Sequence, residues 1–224
     1  IDVGDYYFEN SKYSYARKWY EKVDETAISF SEKEKFNFNF GYCNYVTKNY
    51  RGAKKYLTRV ENSNKYGAQS KYYIGFMAYE DDDYEKASEY FDKVEDNEKY
   101  KENLSYYQAD LNFKLGNFQK AIDLAKEQLP ASNANEVSEL SKIIGESYFN
   151  LEKYDEAIPY LSEYKGKRGR WSNTDFYQLG YAYYKQENFD KAISEFNKII
   201  DGNNSVAQNA YYHLAESYIN VDKK

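Results

Sequence analysis

Small residues recur along the chain at near-constant spacing: Gly4, Gly41, Gly75, Ala109, Gly145, Gly180 and Ala215. Successive members lie 37, 34, 34, 36, 35 and 35 residues apart. A fixed period of this size marks an array in which one supersecondary unit is stacked on itself. Other positions keep the same register. Twelve residues after each small residue stands an alanine: Ala16, Ala53, Ala87, Ala121, Ala157 and Ala192. Three before that alanine is an aromatic: Tyr13, Tyr50, Tyr84, Phe118, Tyr154 or Phe189. Four after it come Tyr20, Leu57, Phe91, Ala125, Leu161 and Phe196, and seven after it Val23, Val60, Val94, Gln128, Tyr164 and Ile199. Chance does not reproduce such a register six times.

The spacing has a physical reason. Gly or Ala lets two helix backbones approach where they cross. The aromatic opening the second helix fills the wedge beside that crossing. The alanine and the residues four and seven beyond it share one helical face. One hairpin cannot bury that face, but a stacked neighbour can. The fourth repeat departs most. Ala125 and Gln128 stand where bulky residues are expected, with Leu124 and Leu129 placed to take over by a small rotation, so looser or shifted packing is predicted there. Pro159 reads as early in its helix, where backbone N–H groups lack intrahelical partners.

The segments Tyr79–Val94, Lys114–Ala125 and Gly180–Ile200 resemble the tetratricopeptide-repeat family, and the resemblance extends over essentially the whole chain. It implies an all-α, right-handed superhelical solenoid of antiparallel helix hairpins, about six repeats plus a lone C-terminal helix. The predicted repeats are 1–30, 31–67, 68–101, 102–137, 138–172 and 173–204, with a partial one at 205–224. Ile1 falls three residues before the first small residue, and residues 221–224 stop before any second helix. Neither end carries the polar capping repeat that a solenoid needs. The expectation is a fragment of a longer array; the alternative is a protein with frayed ends.

Composition fits a thin structure. Of 224 residues, 42% are hydrophobic and 20% aromatic, with 29 Tyr, yet mean hydropathy is −0.99. Tyrosine packs as an apolar body while keeping a polar tip for water or a partner. The net charge of −6 argues against a general nucleic-acid binder. No apolar run approaches the ~20 residues of a membrane helix, so direct membrane insertion is not expected. The single Cys43 cannot form an internal disulfide and reads as a buried hydrophobe. A reducing cytosol and an envelope space without disulfides both stay open.

The resemblance implies that first helices line a concave face. Residues three before, one after and four after each small residue share one helix face. Three before gives Phe38, Tyr72, Tyr106, Lys142, Tyr177 and Tyr212; one after gives Tyr42, Phe76, Asp110, Glu146, Tyr181 and Glu216. These two columns mix Tyr with Lys, Asp and Glu, which a dry core would not tolerate, so they are expected to be exposed and to contact a partner. Four after gives Phe8, Tyr45, Tyr79, Phe113, Phe149 and Tyr184, which read as packing between adjacent first helices.

Asp81–Asp83 fall in a tight turn and read as a helix cap, not a cation site. The basic run Lys165–Arg170, followed by Trp171, reads as a solvated loop with an anion or an acidic partner as the alternative. With one His (His213), one Cys and no Gly-rich phosphate loop, no nucleophile–base pair or metal-ligand cluster assembles. The expected function is a non-catalytic protein–protein interaction scaffold with no cofactor or metal, binding a protein or peptide. A structural part of a bacterial cell-envelope assembly is the second reading. It rests on Ser205, Ala207, Ala210, Tyr211, Tyr212, Leu214 and Tyr218, which resemble the repeat subtype of outer-membrane and periplasmic proteins. Residues Gly202–Asn204 depart from that subtype's usual Tyr-Pro. Periplasm or outer membrane is accordingly favoured over cytoplasm. An enzyme-associated domain is a third, weaker possibility.

Overall fold

The computed structural model describes residues 1–199 and 203–222, apart from the side chains of Glu102 and Asn103. Gly202, where the envelope-type pattern departs, lies outside the described residues. Thirteen α-helices account for most of the described chain: α1 (Asp2–Glu9), α2 (Tyr13–Tyr20), α3 (Phe30–Val46), α4 (Tyr50–Leu57), α5 (Gly67–Glu80), α6 (Tyr84–Asp92), α7 (Glu98–Lys114), α8 (Phe118–Gln128), α9 (Ala134–Asn150), α10 (Tyr154–Glu163), α11 (Asn173–Lys185), α12 (Phe189–Phe196) and α13 (Ser205–Val221). Odd-numbered helices are the first helices of hairpins and even-numbered ones the second. The chain divides into two compact units, Ile1–Leu104 and Ser105–Lys224. In the first, α2 packs on α3 and α4 on α5; in the second, α8 packs on α9, α10 on α11 and α12 on α13. The fold is an all-α helical-repeat solenoid.

Every hairpin turns at one register. Seven residues after the small residue the backbone is left-handed: Ser11, Lys48, Asp82, Gly116, Glu152 and Glu187, with φ from 57° to 77°. The N–H of the following residue then closes on a carbonyl five residues back, as in Lys153 to Tyr148 (2.9 Å) and Asn188 to Tyr183 (2.9 Å). This six-to-one bond is the Schellman closure, which satisfies a helix-terminal carbonyl. Only the fourth hairpin uses glycine there, so the sequence gives little sign of these turns. The next helix is capped where polarity allows: Asp83 accepts from the Lys86 N–H and Asn188 from the Lys191 N–H, each at 3.4 Å. Asp81–Asp83 thus belong to a turn and cap, as their sequence position indicates.

The column register is realised in the core. All six alanines, Ala16 to Ala192, are fully buried. The five glycines sit where a Cβ would collide with the residue sixteen positions on. At Gly75 it would lie 2.6 Å from the Phe91 ring, and at Gly145 it would lie 2.8 Å from the Leu161 backbone nitrogen. In the fourth hairpin, Ala109 takes the small position and Ala125 the opposing one, and both are fully buried. The predicted rotation does not occur. Volume removed from Ala125 is balanced by the methyl group of Ala109, so the register is kept while Leu124 and Leu129 pack at the cluster's edge. Pro159 also corrects the sequence reading. It is the sixth residue of α10, past the orphan N–H groups of the first turn. It deprives the Asp155 carbonyl of its intrahelical donor, but Pro159 is exposed, so water reaches that face.

Candidate functional site

The first-helix side chains singled out by register are not equally open. Phe38 is only 6% exposed. It stacks on Tyr66 at 4.7 Å and joins the core of Ala53, Leu57 and Ile74. This corrects the expectation of an exposed Phe38. A residue nine before the next small position covers it, a partner invisible from periodicity within one helix. Tyr72 stacks on Tyr100 in the same way (4.5 Å) and meets Phe76 edge-on (4.8 Å), but remains half-buried. Tyr106 and Tyr177 are half-buried too, and Tyr212 is 61% exposed. Burial, with Asp110 nearby, pushes the Tyr106 hydroxyl up to about 12.

The column one after the small residue is half-buried, and the structure shows why. Several first-helix residues at this register meet the residue two before the next small position. Asn39 donates to Asp5 (3.0 Å), Tyr73 packs on Tyr42 (5.1 Å between rings), and His213 packs on Tyr181 (4.9 Å). Gln178 lies beside Glu146 by the same rule and opposes the upward push of burial on its carboxyl. These partners were missed from sequence, because the contact depends on how two first helices rotate against each other. His213 is enclosed by Tyr177, Tyr181, Tyr184, Tyr212 and Phe196, all with ring centroids within 6.3 Å. Its Nδ1 lies 3.2 Å from Glu216, which also accepts from the Tyr184 hydroxyl (2.9 Å).

The column four after closes inward. Phe8 meets Tyr13 at 5.6 Å, Phe149 meets Tyr154 at 5.5 Å and Tyr184 meets Phe189 at 5.9 Å, each edge-on across the turn. These rings fill the hairpin's open end. The expected packing between adjacent first helices is also present, as Phe8 on Tyr42 (5.7 Å), Tyr45 on Tyr73 (4.7 Å) and Phe149 on Tyr181 (5.8 Å), while the contacts onto the second helix of the same hairpin are additional to it.

In the second unit, charge sits among the rings. Lys142 lies 3.3 Å from Asp175 and 3.9 Å from Glu146, with its ammonium over the Tyr164 ring at 4.7 Å. Burial raises the Glu146 carboxyl above its usual range; Lys142 opposes this and Asp175 adds to it. Asp110 is half-buried and within 3.9 Å of Lys114. Rings and half-buried ions on one face suit recognition more than chemistry. Cys43 is fully buried and its thiol is pushed up to about 12 by that burial, which makes it a poor nucleophile. Among the described residues no group of His, Cys, Asp or Glu is arranged to hold a metal ion, and no helix is long and apolar enough to cross a membrane.

These hairpins, with small residues at the crossings and half-buried rings on their first helices, define a helical-repeat interaction protein. The chain belongs to the tetratricopeptide-repeat family. The profile of the family described as anaphase-promoting complex, cyclosome, subunit 3, matches residues 80–164, and the tetratricopeptide-repeat profile matches residues 177–220. No curated protein sequence matches. Solved structures with the same fold include MamA from Desulfovibrio magneticus RS-1 (18% identical, 77% of this chain and 96% of that one, TM-score 0.62). Another is the C-terminal part of a repeat-containing protein from Cytophaga hutchinsonii (16%, 99% and 89%, TM-score 0.64). A third is PilW, a type IV pilus biogenesis factor (14%, 94% and 96%, TM-score 0.58). At these identities the likeness is one of fold. Proteins of this family are generally non-catalytic scaffolds for protein–protein interaction.

Proposed function

We propose that the first-helix faces bind an extended or helical segment of a partner protein, without catalysis. The observation that carries this reading is the half-open state of the aromatic columns. Tyr72, Phe76 and Tyr42 in the first unit are held by neighbouring rings yet keep an accessible part. Tyr106, Tyr177, Tyr181 and Tyr212 do so in the second, beside Asp110, Lys142 and Glu146. Rings already fixed by packing lose little side-chain entropy on binding, and Tyr offers both area and a hydroxyl. Phe38 supports this face from below.

A second reading places the chain in a bacterial cell-envelope assembly. What favours it is the sequence of α13, where Asn204 caps the helix (Ala207 N–H to Asn204, 3.0 Å) and Ala207 and Ala210 are buried, while Tyr211, Tyr212 and Tyr218 are exposed.

One experiment addresses both. A benzophenone-bearing phenylalanine is placed at Tyr177 or Tyr212, or at the exposed second-helix positions Glu156 or Asp190, and the source cells are irradiated. Adducts are expected from the first pair and not the second. Adducts only from the second pair would sink the first-helix proposal. Cytosolic proteins as the adducts would sink the envelope reading alone.

A further inference from the structure

We propose that the turn Lys165–Arg170 is a preformed cationic finger that binds an acidic segment of a partner polypeptide. Most hairpins pass to the next through a continuation of helix or a short 3₁₀ turn, as at Thr58–Val60 and Leu129–Ala131. Here the chain leaves α10 in an extended conformation at Tyr164. It then makes a tight turn with an antiparallel bridge between Lys167 and Arg170. The corresponding connection between α2 and α3 carries Asp24 and Glu25, and residues 129–133 between α8 and α9 carry no charge.

The turn is built, not loose. The Lys165 N–H donates to the buried Ser138 hydroxyl (2.9 Å), and the Trp171 indole N–H donates to the Tyr164 carbonyl (2.8 Å), so both ends are pinned. The Gly169 N–H donates to the Gly166 carbonyl (3.1 Å) and the Arg170 N–H to the Lys167 carbonyl (3.2 Å). Gly166 (φ 83°), Arg168 (φ 55°) and Gly169 (φ 75°) are left-handed. A Cβ on Gly166 would lie 2.4 Å from the Arg170 carbonyl carbon, so the loop cannot close this way without glycine.

The charges at its tip are unspent. Lys165 pairs with Glu163 at 3.3 Å. Lys167, Arg168 and Arg170 are exposed, and among the described residues none makes a side-chain hydrogen bond or an ion pair within 4.0 Å. Three uncompensated cations on a rigid turn of a chain with net charge −6 attract an anionic partner and pay little ordering entropy to hold it. The arginines add planar forks suited to carboxylates. A polypeptide fits better than a membrane or a nucleic acid. Those polyanions call for an extended basic surface or several neighbouring clusters, whereas this finger has an acidic neighbour, Glu163, and its Trp171 is tucked against Phe176 (5.2 Å) and not free to insert.

The test uses the full chain and a fluorescein-labelled decaglutamate peptide, followed by anisotropy, with phosphatidylglycerol vesicles and duplex DNA as competing probes. A Trp19→Phe background leaves Trp171 as the sole indole reporter. Binding is expected to shift Trp171 emission and to weaken as salt is raised towards about 0.15 M. Lys167→Gln/Arg168→Gln/Arg170→Gln is expected to lose at least tenfold in affinity with an unchanged circular dichroism spectrum. Gly166→Ala, which keeps every charge, is expected to lose several-fold. Equal binding by parent and triple variant, no binding by the parent, or preference for vesicles or DNA would overturn the proposal. Unchanged binding by Gly166→Ala would overturn its preformed character.

Discussion

Leu161→Ala is expected to destabilise α9 and α10 by about 3 kcal/mol, and adding Gly145→Ala to give back about 1 kcal/mol instead of costing more. Leu161 is buried against Gly145 at the crossing of these helices. Its truncation removes apolar burial and leaves a cavity, typically worth about 2–5 kcal/mol. Gly145→Ala alone meets the Leu161 side chain at 2.9 Å and its backbone nitrogen at 2.8 Å. Overpacking of that kind costs about 1–3 kcal/mol, and the better helix propensity of alanine offsets roughly 1 kcal/mol of it. Together the two changes recreate the pair the fourth hairpin already uses, Ala109 with Ala125. The methyl then loses its clash with the Leu161 side chain and fills part of the cavity, and its 2.8 Å approach to the position-161 backbone nitrogen is relieved by the small widening of the crossing that the shorter side chain allows. Native-state hydrogen exchange of the α9 and α10 amides measures each variant. A double variant no better than the sum of the singles would mean that volume exchange does not explain the fourth hairpin.

Asp5→Ala should cost a similar amount, about 3 kcal/mol, and remove part of the acid sensitivity of the first unit. The Asp5 carboxylate accepts from the Tyr20 hydroxyl (2.6 Å), the Asn39 amide (3.0 Å) and the Lys35 ammonium (2.8 Å), tying α1, α2 and α3 together. Tyr20 and Asn39 are buried, so alanine at position 5 strands two donors, each worth about 1–3 kcal/mol. Burial pushes the Asp5 carboxyl up, but the three donors outweigh it and hold it below its ordinary value. Glu25 is held at about 2 by bonds from Tyr56 and Arg59. A carboxylate depressed in the folded state stabilises it fully above the unfolded pKa of about 4 and stops doing so as pH falls through the folded pKa. The parent's first unit should therefore lose stability from about pH 4 downward. Asp5→Asn should show a shallower fall, with the share of Glu25 retained. Urea midpoints at neutral and acid pH measure this; identical slopes for parent and Asp5→Asn would contradict the assignment.

The hairpins were legible because three columns, the glycines, the alanines and the opening aromatics, must each face the same crossing. A change of period at any of them would break the stack. The left-handed turn residues were not legible. Five of six are Ser, Lys, Asp or Glu, and they hold that conformation because the packed helices on either side fix it. The openness of the proposed binding face was legible in part. Tyr72, Tyr177 and Tyr212 keep accessible surface as the mixed columns imply. Phe38 does not, because Tyr66 reaches it from outside the periodic set. Asn39, Tyr73, Gln178 and His213 escaped notice for a related reason. Their partners lie about thirty residues earlier on another helix, and only the rotation between two first helices brings them together. The fourth hairpin shows a further limit. Reading Ala125 alone suggested a defect, whereas reading it with Ala109 gives conserved volume.

The measurement that tests the account most directly is peptide binding by ring-deleted chains. Peptides are selected by display against the parent, and their affinity is compared for the parent and for Tyr72→Ala/Tyr106→Ala/Tyr177→Ala, with circular dichroism and thermal midpoints as the control for folding. The account expects the triple variant to stay folded and to bind at least about tenfold more weakly, the loss of 1.4 kcal/mol or more that a central aromatic anchor carries. Equal affinity in a folded triple variant would contradict it and place the recognition surface away from the first-helix rings.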